Sequence, residues 1–281
     1  MSLPTIAFSS WAFPGKHIDH SIDHAVEQGF TGLEVALLDP ALFDGDLVPG
    51  DAAARAVAAR TGGLRLSAHA PIDEISLADP DPEIRAASAG YFRRTIAACH
   101  LMGVETVVVH LTRSFRDASL PLSADEDGRA WAADVIRTLA EESADTGITL
   151  AIENIGISDR AADRDYTGLC RMIDAIALPN VGMALDIGHA HVHDHAGGGV
   201  SAAAELFGER VRHYHVHDND GGTDQHLRVG GGTADYSALL PRWRDGFPGI
   251  LAMEIFPFVE TDLTEAVTAS RTALTALLTP H

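Results

Sequence analysis

Again and again in this chain a short apolar run ends on a side chain that can bind a metal. RLSAH ends on His69, TVVVH on His110, TLAIE on Glu153 and VGMALD on Asp186, with His189 three residues further on. VRHYH reaches His215 and GILAME reaches Glu254. An apolar run without alternation reads as a parallel strand buried on both faces. A polar group at its C-terminal end then faces the open mouth of the fold. Glu153, Asp186, His215 and Glu254 together offer carboxylate oxygens and one imidazole. That donor set suits one divalent ion, Mn, Mg, Co or Zn. Taken singly, each residue reads better as a strand-end polar group satisfied by neighbouring backbone. Their recurrence is what points to a single metal-centred site.

The segment HYHVHDND needs a register. Alternation puts His213, His215 and His217 on one face and Tyr214 and Val216 on the other. His213 opens the strand and should lie deep in the fold, and His217 should pack near the following loop. His215 is left as the ligand. Beyond it, Asp224 and His226 form an Asp-x-His pair that can ligate a metal or orient a substrate. The run Gly230–Gly232 lets backbone come close to a ligand, or merely turns. His69 and His110 could bind a second metal, hold a sugar hydroxyl or sit satisfied in the core. His191, His193 and His195, in the low-complexity stretch 189–200, read as exposed loop residues.

Many elements must cooperate to bring these residues together. Strands are predicted over 5–9, 32–37, 64–68, 106–110, 149–153, 182–186, 211–216 and 250–255. Amphipathic or Ala-rich helical segments fall between and after them, near 19–28, 51–61, 82–101, 125–146, 166–177, 200–207, 236–244 and 262–278. Strict alternation argues for a parallel sheet with covering helices, and this number of units in this length matches a single-domain (β/α)8 TIM barrel spanning residues 1–281. Asp81 with Pro82 marks a helix start, and Ser123 with Glu126 resembles a capping box. Gly29, Gly62, Gly103 and Gly147 each follow a helical pattern, as C-caps do.

Composition sets the outer limits. The formal charge is −20, from 40 acids against 20 bases. Such a surface repels nucleic acid and anionic membrane. No apolar run is long enough to span a bilayer, and the start lacks the pattern of a signal peptide. With Cys99 and Cys170 read as buried thiols, the expectation is a cytoplasmic protein. The 15 histidines hint mildly at metal.

In order, SAHAP, VVVHL, IEN, LDIGH, HxHxxD, DxHxxxGGG and MEI resemble the xylose-isomerase-like TIM barrels, over about residues 5 to 260. That superfamily holds sugar isomerases, ketose epimerases, dehydratases and the endonuclease IV group. The resemblance implies metal ligands at Glu153, Asp186, His215 and Glu254, with Glu153 and Glu254 also the acid–base pair. It implies a substrate contact at His189. In the endonuclease branch His69, His110, His189, Asp224 and His226 would complete a three-zinc cluster. Two departures are informative. Ketose epimerases carry an Arg where this chain has Gly221, and the endonucleases follow the strand-five Glu with an Asn-Thr-Ala-Gly type of turn, here Asn154-Ile155-Gly156-Ile157. No basic, aromatic-bearing insertion for gripping DNA is evident.

The resulting expectation is an isomerase or epimerase of a sugar-like polyol or cyclitol, using one divalent ion and no organic cofactor. Proton transfer would pass through a metal-stabilised enediolate. His69, His110, His189, Asp224 and His226 would hold the substrate, and Trp11, Phe13 and Phe256 could line its apolar face. Loss of hydroxide after the same first step would make the site a lyase. Zinc-dependent cleavage at abasic DNA is the alternative of another class. Members of the superfamily often form homo-oligomers, although nothing in the sequence marks an interface.

Overall fold

The computed structural model describes residues 3–111, 124–156, 165–193, 199–256 and 262–279. Eight parallel strands form one sheet: β1 (Thr5–Phe8), β2 (Gly32–Ala36), β3 (Arg65–His69), β4 (Val104–Val109), β5 (Thr149–Glu153), β6 (Val181–Asp186), β7 (Val211–Val216) and β8 (Ile250–Met253). Their order is β1-β8-β7-β6-β5-β4-β3-β2. Parallel ladders join every neighbour in that order. The sheet closes where β2 meets β1 through a parallel bridge between Ser9 and Glu34. Side chains reinforce this seam: Ile6 N–H donates to Thr31 Oγ1 at 3.0 Å and Ala36 N–H to Ser10 Oγ at 2.9 Å. This is a single-domain TIM barrel.

The helices are α1 (Ile18–Glu27), α2 (Asp51–Arg60), α3 (Pro82–Met102), α4 (Ala124–Glu142), α5 (Tyr166–Ile176), α6 (Ile187–Val192), α7 (Gly199–Phe207), α8 (Leu240–Arg244) and α9 (Leu263–Leu278). Asp81 caps α3 by accepting from Glu83 N–H, with Pro82 in the first turn. Gly29, Gly103 and Gly147 are left-handed as expected, but after α2 the left-handed residue is Gly63 rather than Gly62. Ser123 and His195 lie outside the described residues. So does Ile157.

Alternation along the strands makes two cores. Outward residues such as Leu33, Val35, Leu150, Ile152, Leu185, Tyr214 and Met253 pack under the helices in the main apolar layer. Inward residues form small separate clusters, Ala7 with Ile250 and Ala252, and Val108 with Ala151 and Ala184. Barrel interiors are ordinarily filled by bulky branched residues. Here alanines leave room for polar side chains, and Glu34, Ser67, His213 and His215 are all fully buried among them.

Cys99 and Cys170 are buried free thiols. Among the described residues no helix is long and apolar enough to cross a membrane. The stretch after β6 departs from the loop expected there. Residues 187–192 form α6, with Asp186 as its N-cap accepting from His189 N–H. His191 and His193 are consequently half-buried rather than exposed. His191 Nε2 lies 3.0 Å from Thr233 Oγ1, and the His193 ring lies against Tyr166.

Candidate metal centre

Strand-end residues from β3 to β8 converge at one end of the barrel. Glu153, Asp186, His215 and Glu254 are buried, and one donor atom from each lies within 4.8 Å of the others. Two ligands on one ion at metal–ligand distances of about 2.0–2.6 Å stand at most roughly 4.0–5.2 Å apart, so the set is compact enough for a cation. His215 is its centre. Its Nδ1 lies 3.1 Å from Glu153 Oε1, 3.6 Å from Glu254 Oε2 and 3.7 Å from Asp186 Oδ2.

A second layer surrounds Glu153 and Asp224. His69 Nε2 and His110 Nε2 lie 3.3 and 2.9 Å from Glu153 Oε2. His189 Nε2 and His226 Nε2 lie 3.2 and 2.9 Å from Asp224 Oδ2. The backbone fixes the protons of several of these rings. A carbonyl can only accept, so Nδ1–H of His69 donates to the Ala70 carbonyl (2.8 Å), that of His189 to Asn154 (2.9 Å) and that of His226 to Glu254 (3.0 Å). In the neutral ring Nε2 is then a lone pair, and it faces a carboxylate oxygen. Two lone pairs at such distances repel unless a proton or a cation lies between them. Donation of the far N–H to a backbone carbonyl is the usual support of a metal-binding histidine. Glu254 Oε1 and Asp224 Oδ1 are also buried with no hydrogen-bond partner among the described residues. The residues fit a divalent cation.

The protonation states follow from this crowding. Burial raises the Glu153 carboxyl, but His215, His110 and the hydrogen bonds from His110 and His189 outweigh it, holding Glu153 well below its usual range. Glu254 goes the other way. Burial, reinforced by Glu153, Glu34 and Asp186 and opposed by His215, pushes it up to about 8. Burial disfavours charge on His215, yet Glu254, Glu34 and Glu153 hold it well above the ordinary imidazole value. His189 is likewise held high by Asp186 and Asp224 against burial. Metal binding is therefore expected to expel protons, because ligands must be deprotonated. With His215 and Glu254 both raised, affinity for a divalent ion should climb as pH rises toward about 8. Calorimetric titration in buffers of different ionisation enthalpy checks this, and a pH-independent affinity would contradict it.

Neighbouring residues hold this geometry. Asn154 Oδ1 accepts from Asp186 N–H (2.8 Å), while its amide donates to the Asp186 carbonyl (3.0 Å) and to Tyr166 Oη (3.1 Å). Asp218 accepts from the backbone N–H groups of Gly230 and Ala234, tying down the loop that carries Asp224 and His226. His226 has left-handed backbone, φ 48°. Such a non-glycine conformation costs about 1–3 kcal/mol and persists only where contacts over-determine it. Here the Glu254 carbonyl and two stacked rings do so, His217 at 3.8 Å and Phe256 at 3.7 Å. The close packing explains two glycines. A Cβ at Gly188 would overlap the His217 imidazole, and one at Gly232 would overlap the Asn219 carbonyl.

Several expectations need amendment. His217 does stack on the following loop, through His226, but its Nε2 also reaches Asp186 Oδ2 at 3.0 Å, which makes it part of the site. Trp11 packs on Phe256 at the edge of the ring stack. Phe13 does not join them: it is buried against Phe8, His20 and His24 beside α1. Glu34, unmarked in the sequence reading, lies inside the barrel beside His213 and His215. The sequence signal was an acid inside the apolar run GLEVALL.

Known proteins share this architecture. The chain belongs to the Xylose isomerase-like TIM barrel family, whose profile matches residues 22–276. A D-tagatose 3-epimerase-like protein superposes with a TM-score of 0.80 at 20% identity, covering 98% of this chain and 97% of that one. A D-psicose 3-epimerase determined in the presence of D-fructose gives 0.81 at 18% identity, covering 98% and 99%. The TTHB071 protein of Thermus thermophilus, soaked with ZnCl2, gives 0.72 at 23% identity, covering 97% of each. In sequence, the uncharacterized protein MJ1311 of Methanocaldococcus jannaschii is 26% identical over 187 residues, 66% of this chain and 62% of that protein. The match thus spans less than two thirds of that relative's length. At these identities the solved structures establish a shared fold.

Proposed function

We propose that this protein is a divalent-metal-dependent isomerase or epimerase of a sugar or sugar-like polyol or cyclitol, working by proton transfer beside a carbonyl. The carrying observation is the pair Glu153 and Glu254. Both are buried and approach the same nitrogen of His215, yet their surroundings drive their proton affinities apart. A pair of titratable groups separated in this way is a base and an acid ready for opposite roles. Glu153, ionised, is suited to accept a proton from carbon. Glu254 holds one near neutrality only while the site is free of metal; once it serves as a ligand, its free oxygen would return the proton at the adjacent carbon or on the opposite face. Its Oε1 has no hydrogen-bond partner among the described residues, so that oxygen can carry the proton while Oε2 stays turned toward His215. A cation held by Glu153, Asp186, His215 and Glu254 would polarise the carbonyl and an adjacent hydroxyl and acidify the C–H between them.

The remaining residues orient substrate. The side chains of His110 and Asp224, 13% and 16% exposed, are the most open of the group and can meet incoming hydroxyls. His69, His189 and His226 stand behind them. Trp11 and Phe256 supply an apolar wall for a sugar face. The epimerases among the structural relatives support the substrate class. If hydroxide leaves after the first proton transfer, the same residues make a lyase.

A second reading is favoured by a specific observation, the further donor sets of His69, His110 and Glu153 and of His189, Asp224 and His226. These suit a metal cluster that hydrolyses phosphodiesters, and the ZnCl2-soaked relative is compatible with zinc uptake. One pair of measurements separates the readings. Elemental analysis should give about one ion per chain for the isomerase and three zincs for the hydrolase. Incubation with a panel of ketoses and cyclitols in deuterium oxide should place solvent deuterium beside the carbonyl of a turned-over substrate. Turnover without exchange rejects the proton-transfer reading.

A further inference from the structure

We propose that Glu34 is a positioning residue that fixes which nitrogen of His215 carries the proton, and so which one is free to bind metal; this rests on the metal-dependent reading above. Glu34 projects from β2 into the barrel, and its Oε2 gathers three contacts. His215 Nε2 lies at 3.2 Å, His213 Nε2 at 3.0 Å, and Ser67 Oγ donates at 3.2 Å. An ionised carboxylate only accepts, so the His215 nitrogen facing it must be an N–H. The neutral ring then has its lone pair on Nδ1, the nitrogen that faces Glu153, Asp186 and Glu254. The other tautomer would press a lone pair against a buried carboxylate and aim an N–H at the cation. A carboxylate behind a ligating imidazole also raises its basicity, more than a carbonyl does.

The cost of placing Glu34 there supports a functional reason for it. It is fully buried inside the barrel, where other inward positions are small residues such as Ala7 and Ala252. Its Oε1 has no hydrogen-bond partner among the described residues. A buried charge with an unsatisfied oxygen is expensive, and apolar packing of similar volume is often more stable than a buried ion pair. His213 supports the arrangement from below, its ring edge-on to that of His215 at 5.1 Å.

The test uses the full-length chain, stripped of metal and titrated with zinc or cadmium-113 alone. In the 15N-histidine spectrum of the cadmium-loaded protein, His215, assigned by its loss in His215→Gln, should show cadmium coupling at Nδ1 and a proton at Nε2. Glu34→Gln should weaken zinc roughly 10- to 100-fold in competition with a chromophoric chelator, with the circular dichroism of the wild type retained. Ser67→Ala, which removes one donor to the same carboxylate, should weaken it less. Coupling at Nε2, or a folded Glu34→Gln that binds zinc like the wild type, overturns the proposal. If Glu34→Gln does not fold, the wild-type spectrum and Ser67→Ala decide. A wild type that binds no divalent ion overturns the metal-dependent reading itself, and this inference with it.

Discussion

Glu254→Gln is expected to lower kcat by roughly 10²- to 10⁴-fold, the range lost when a positioned acid or base is removed. Glutamine keeps the volume and one oxygen facing His215 but cannot exchange a proton. If Glu254 were only a ligand, the loss would follow metal affinity and be recovered at saturating metal. If it carries the proton, the defect persists with the metal site full. Elemental analysis of the variant during the assay distinguishes these outcomes. Solvent-deuterium incorporation should fall along with turnover, while KM changes little. Full activity at full metal occupancy would remove Glu254 from the acid–base role. Glu153→Gln should be equally damaging to turnover but should also disturb folding of the site, because His69, His110, His189 and His215 all lean on that one carboxylate.

Removing the metal should have the second large effect. Dialysis against a chelator is expected to abolish activity, with recovery on adding back one of Mn, Mg, Co or Zn. It should also lower thermal stability. The buried carboxylates of Glu34, Glu153, Asp186 and Glu254 share a small volume, and a divalent ion relieves part of their repulsion. Binding at 1,000 times the dissociation constant stabilises a native state by about 4 kcal/mol. For a chain of this length that corresponds to a shift of about 7 °C in Tm. Differential scanning calorimetry with and without metal measures it. An unchanged Tm and unchanged activity after demonstrated metal removal would refute the metal requirement.

Much of the scaffold was legible because parallel strands buried on both faces leave uninterrupted apolar runs. Predicted and observed strands differ by a residue or two at their ends, as in β4, which begins at Val104 rather than 106. The strand-end rule located the residues that converge on His215. It passed over Glu34 because that acid sits in mid-strand, where only the inward phase of Glu34 between outward Leu33 and Val35 gives it away. It read α6 as loop because histidine-rich composition hides a helix whose cap, Asp186, is also a metal candidate. Trp11 and Phe13 are neighbours in sequence, yet one reaches the ring stack and the other the α1 layer. Contacts between side chains and backbone groups, such as those of Asn154 and Asp218, have no side-chain pattern to announce them.

The bridge that closes the barrel joins Ser9 to Glu34, and the same Glu34 reaches His215 on β7. Seven ladders knit the other strand pairs, so this seam is where the cylinder can part with least loss of backbone pairing. A side chain that spans the bore from β2 to β7 bypasses it, like a spoke bracing a rim beside its joint. A ligand that grips His215 from above is therefore expected to slow amide hydrogen exchange at residues 31–36, on the wall of the barrel below the chemistry.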